Sequence, residues 1–147
     1  MAQVHFTVQR DLALPARVVF DELVDWKAHE DWVPLTKVEI LSGAGGTGTE
    51  FIATSGVGPL ALPDRMRVDE LDPEAMTVRV TKIGPLLTGD VLLSVTEISK
   101  SRSHIEWVED IKVPFLPQFL AKPVGLAAKQ GFVLSINKMA KKLAAQA

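Results

Sequence analysis

A chain of 147 residues without cysteine, in which 16 basic side chains meet 18 acidic ones for a net charge of −2, can bury one full core but has no disulfide framework, thiolate metal centre or thiol nucleophile. The basic residues are scattered apart from a small terminal group, Lys138, Lys141 and Lys142, so no nucleic-acid partner is expected, and no apolar run approaches the ~20 residues that span a bilayer. The N-terminal MAQVHFTVQRD lacks the regions of a secretion signal, which makes the cytoplasm the expected compartment, and a hydrophobic fraction of 47% suits a full core, a lined cavity or a dimer face equally.

With no repeat, linker or low-complexity stretch, residues 1–147 read as one domain, monomeric or homodimeric. The period is two at first: Val4, Phe6, Val8 and Leu12 share one face of a strand with Arg10. Pro15 then opens a helical segment, PARVVFDELVD, because proline in a first turn gives up no hydrogen bond, and Val19, Phe20, Leu23 and Val24 form its apolar stripe. A second short helix is expected from Asp25 to Trp32, stopped by Pro34. From Thr36 the chain reads strand after strand: TKVEIL and TEFIATS around a glycine-rich turn, then PLALPDRMRVDELD, AMTVRVTKI, LTGDVLLSVTEIS and RSHIEWVEDIKV, with DPE and SKSR as turn signals. That pattern is an antiparallel meander. A long helix closes the chain, beginning between Pro117 and Val124, with Pro123 expected to kink or delay its start. Its stripe Phe132, Ile136, Met139 and Leu143 keeps the i, i+4, i+7, i+11 spacing, with the three lysines on other faces. Only this helix is large enough to cover the apolar face of the sheet.

Two motifs dissolve on inspection. GAGGTG, Gly43 to Gly48, spells a dinucleotide-binding turn, but that turn works only when a helix N-terminus follows to hold the pyrophosphate, and TEFIATS reads as a strand. These are hairpin glycines. HEDWV begins like a zinc-protease motif without the second histidine, and His5, His29 and His104 lie in three separate elements, so neither a metal site nor a cofactor is expected.

The strands carry a stronger signal. Their apolar parity assigns Leu62, Met66 and Val68, then Met76, Val78 and Val80, then Val91, Leu93 and Val95, and finally Ile105, Trp107, Ile111 and Val113 to the inner face. Three ionisable residues, Arg10, Asp64 and Glu109, interrupt it. A lone charge in an apolar core is expensive, so these side chains either meet a partner, water or a ligand there, close to one another, or are turned into solvent by twist or a bulge. The stretch VDWKAHEDWVP holds two of the three tryptophans. On a helix, Trp26 and Trp32 point about 120° apart, so one of them should be partly exposed.

The order strand, two short helices, six antiparallel strands and long helix resembles the START-like helix-grip superfamily, also called the polyketide cyclase/dehydrase or SRPBCC superfamily, over essentially the whole chain. The entry stretch LALPARVVFDELVDWKAHEDWVP carries the likeness, with GTGTEF, VDELDPE, IEW and LSINKMAKKL. The resemblance implies an α+β fold: a curved antiparallel sheet of about seven strands wrapped around the C-terminal helix, with a cavity between them. Many relatives have an aromatic residue where this chain has His29, and a smaller one in place of Trp26. It further implies that Trp32 packs under the pocket mouth while Trp26 or His29 borders the opening; the alternative is that both tryptophans only pin the short helices to the sheet.

Three functions fit this reading. The first is binding or transport of an apolar small molecule, such as a lipid, polyketide or ring compound, against Trp26, His29, Trp32, Met66, Val78, Leu93, Trp107, Phe132 and Ile136. The second is a cyclase, aromatase or dehydratase using Asp64 or Glu109 as a general base of raised pKa and Arg10 to stabilise an enolate, in a chain that has no tyrosine to serve as acid. The third is an interaction module with a small cavity, for which the chain offers no motif.

Overall fold

The N-terminal alternation becomes β1, Ala2–Leu12, in which Ala2, Val4, Phe6, Val8 and Leu12 are buried. The computed structural model, which describes residues 1–146, continues with α1, Ala16–Leu23, entered through Pro15 and burying Ala16, Val19, Phe20 and Leu23. The second expected helix is divided. Asp25 accepts a hydrogen bond from the Ala28 amide at 3.3 Å and caps a tight 3₁₀ turn, Trp26–Ala28, before a single α-helical turn, α2, His29–Trp32. This change of helical pitch overturns the expectation that one tryptophan is partly exposed: both Trp26 and Trp32 are buried, because the 120° separation assumed one regular helix.

Six further strands follow: β2, Thr36–Ser42; β3, Glu50–Ser55; β4, Leu62–Asp72; β5, Thr77–Ile83; β6, Thr88–Ser99; and β7, Arg102–Val113. They form one seven-stranded antiparallel sheet with β1, in the order β1-β7-β6-β5-β4-β3-β2. Each strand from β3 to β7 pairs with its predecessor, and β1 lies beside the last, placing Val4 opposite Ile111 and Val8 opposite Trp107. Gly43 opens the β2–β3 turn at φ +90, where a Cβ would lie 2.5 Å from Thr49 Oγ1. No helix follows these glycines, so the nucleotide-binding spelling is indeed a hairpin.

The inner-face parity holds along most strands, with two departures. PLALPDRMRVDELD starts as a 3₁₀ turn, Gly58–Leu60, which leaves Leu62 exposed at the strand's first residue. Met76 stands outside β5 in the turn before it, at φ 54.

The covering helix, α3, runs from Ala121 to Gln146 and buries Gly125, Ser135, Ile136, Met139 and Leu143. Pro123 neither delays nor breaks it: the proline sits in the first turn, where a missing N–H leaves nothing unpaired. At Gly125 the helix comes so close to β1 that a Cβ would touch Val4 Cγ1 at 3.4 Å. Farther along, Lys142 Nζ reaches Glu22 of α1 at 2.6 Å and Asp31 of α2 at 2.8 Å, so one ammonium ties the three helices together. Among the described residues no helix is long and apolar enough to cross a membrane.

Candidate functional site

Helix α3 closes over the sheet incompletely and leaves a cavity of about 110 Å³. Aromatic rings make up one side of it. Trp26 stacks on Phe51 with centroids 4.9 Å apart, and Trp107 lies 4.6 Å from Phe132, which reaches down from α3 and also stacks on Phe6 at 5.6 Å. The sheet adds Met66, Val80, Val91 and Leu93 beside them, Met66 paired with Phe51 and Leu93 with Trp107. Each of these comes from the alternation of its strand, which sends every second residue inward.

Into this apolar wall β4, β5 and β7 project Asp64, Lys82 and Glu109. The register explains the meeting: Lys82 pairs with Met66, one inward position from Asp64, and Glu109 pairs with Val91 on the intervening strand. Lys82 Nζ donates to Asp64 Oδ2, lies 3.7 Å from Glu109 Oε1, and touches Met66 Sδ at 3.8 Å. Glu109 Oε2 in turn accepts a hydrogen bond from Trp107 Nε1 at 2.7 Å. Asp64 Oδ1 is buried and accepts none. Burial alone would push the Lys82 pKa down, but attraction to Glu109 and Asp64 outweighs it and holds the pKa above the ordinary lysine value of 10.5. Lys82 is therefore an ammonium ion at neutral pH, not a free amine nucleophile.

His29 borders the same space, its ring 5.5 Å from Trp26 and 4.5 Å from Trp32. Burial holds its pKa below the usual 6.5, against the opposing pull of the Leu23 carbonyl, Asp25 and Glu22. The ring is neutral at pH 7. Its Nε2 stands 2.7 Å from Leu23 O, which must accept, so the proton sits on Nε2.

No protein-family model and no curated protein matches the chain. Solved structures do. A START superfamily protein from Mycobacterium smegmatis superposes with a TM-score of 0.81 at 12% identity, covering 95% of this chain and 98% of that one. The Zhui aromatase/cyclase from Streptomyces sp. R1128 gives 0.77 at 19% identity over 96% of this chain and 93% of its own. Ara h 8.0201 gives 0.71 at 16% identity, covering 98% and 99%. The chain has the START-like helix-grip fold.

The START-like grip gathers most of the residues singled out from the sequence. Trp26, His29, Met66, Leu93, Trp107, Phe132, Asp64 and Glu109 all line the cavity. Trp32, Val78 and Ile136 do not; they are buried in the surrounding core, Trp32 with its Nε1 donating to Glu22 Oε2 at 3.1 Å. Arg10 is also apart from the two acids. Its Nη2 donates to Asn137 Oδ1 of α3 at 2.9 Å, so the cation that faces the carboxylates is Lys82 instead. The sequence reading passed over Lys82, although it shares the inward parity of Val78 and Val80. A lysine at a strand end ordinarily extends its head into water, and only the two acids from other strands keep this one inside.

Proposed function

We propose that this protein binds an apolar small molecule, a lipid, polyketide or other ring compound, between the sheet and α3. The observation that carries the reading is the cavity wall: mainly stacked aromatic and aliphatic side chains, with a few polar groups and one buried ionic cluster, the usual composition of a ligand pocket. A resting volume of about 110 Å³ is well below the ~300–1,000 Å³ of sites for drug-sized ligands, which favours a compact ligand of one or two rings.

Trp26 and Trp107 line the cavity, so occupancy should be read from the protein's own emission. A panel of single-ring aromatics, flavonoids, fatty acids and polyketide mimics is titrated against wild type and His29→Phe. At least one compound should shift or quench the emission with a micromolar dissociation constant, about −8 kcal/mol, and His29→Phe should keep the fold while altering affinity. A panel in which no compound changes the emission would defeat the reading.

A second reading, cyclisation or dehydration of a poly-β-keto substrate, draws support from the carboxylates in the wall and from the fold shared with an aromatase/cyclase. In it Asp64 or Glu109 takes a proton and Lys82, not Arg10, stabilises the enolate. Turnover of a poly-β-keto thioester mimic that disappears in both Asp64→Asn and Glu109→Gln would favour it over simple binding.

A further inference from the structure

The ionic cluster is short of donors. Asp64 and Glu109 present four oxygens between them, and only two hydrogen bonds arrive: Lys82 Nζ to Asp64 Oδ2, and Trp107 Nε1 to Glu109 Oε2 at 2.7 Å. Glu109 Oε1 accepts no hydrogen bond, the ammonium lying 3.7 Å away and out of reach, and Asp64 Oδ1 has no partner although solvent is kept from it. Charge runs the same way. With both acids ionised, one ammonium against two carboxylates leaves the cluster at −1 in a wall whose other polar groups, the neutral His29 ring and the paired hydroxyls of Thr36 and Ser55, carry no charge. A buried acceptor without a donor and an uncompensated buried charge are both unfavourable, and one added group relieves both if it is a cation that donates hydrogen bonds.

We propose that the pocket selects a compact ring compound bearing a protonated amine, its ring among Trp26, Phe51, Trp107 and Phe132 and its ammonium on Glu109 Oε1, close to the Asp64 charge. This deepens the binding reading above and rests on it. The ring faces add to the selection, because an aromatic wall attracts a cation and not an anion. A neutral alcohol would meet one oxygen and leave the charge unbalanced. A carboxylate would bring the cluster to −2, so fatty acids are disfavoured.

The test uses the full chain at neutral pH and four size-matched probes: benzylamine, benzyl alcohol, toluene and benzoate, each titrated by calorimetry and tryptophan emission. Benzylamine should bind at least about tenfold more tightly than toluene or benzyl alcohol, with benzoate weakest. Asp64→Asn should bring benzylamine level with toluene, and thermal melts of this variant establish that it is folded; the wild-type ranking decides alone if it is not. Toluene binding as tightly as benzylamine, or benzoate binding best, overturns the amine proposal and leaves the binding reading intact. If no probe binds and none of the broader panel does, both fall together.

Discussion

Lys82 sits between two carboxylates in a largely apolar wall, and its charge is the one that offsets the burial of both. Lys82→Met leaves Asp64 and Glu109 buried without their cation and should cost about 3–5 kcal/mol, read as a lower urea midpoint. Adding Asp64→Asn and Glu109→Gln to the same chain should recover most of that loss, because the penalty comes from unpaired charge and not from lost volume. If the triple variant is no more stable than the single one, packing is the better account. The Lys82 charge contributes fully below the ordinary lysine pKa of 10.5, and that contribution is lost as pH rises through the higher folded-state value. His29 behaves oppositely. Its folded pKa lies below 6.5, so the unfolded chain binds more protons there and stability rises with pH. The contribution is full above pH 6.5 and shrinks as pH falls through and below that value. Thermal melts should therefore fall between about pH 7.5 and about pH 5, and His29→Phe should flatten part of that slope. A slope unchanged in His29→Phe would assign the acid sensitivity to other groups.

At the scale of elements, α3 is the piece that the sheet cannot do without. Its stripe buries Ile136, Met139 and Leu143 and half-buries Phe132 against β1 and β7. Each fully buried side chain of this kind contributes ~1.5–3 kcal/mol, while a domain's whole net stability is only ~5–15 kcal/mol. A chain ending at Gly131 should accordingly show no cooperative thermal melt and no near-ultraviolet circular dichroism; a native-like melt would mean that the sheet closes by some other means. The stripe was legible because its spacing repeats over three turns. The short helices were less so: residues 26 to 32 contain too few turns for periodicity to distinguish a 3₁₀ turn from an α turn, and that pitch is what buries both tryptophans.

For the whole molecule, the order of elements, the hairpin nature of GAGGTG, the inward parity of Asp64 and Glu109 and the need for a covering helix were all present in the sequence. They are properties of neighbouring residues: a period of two or of 3.6 and the backbone freedom of glycine are settled within a few positions. The wall of the cavity is different in kind. Asp64, Lys82 and Glu109 meet only because β4, β5 and β7 hold particular registers, and Arg10, equally inward by parity, is drawn to Asn137 because β1 lies at the sheet edge beneath α3. Alternation tells which face a side chain takes and nothing about which distant side chain stands beside it. Partners are chosen by strand order, register and the approach of one helix to the sheet, and these emerge only when the whole chain packs.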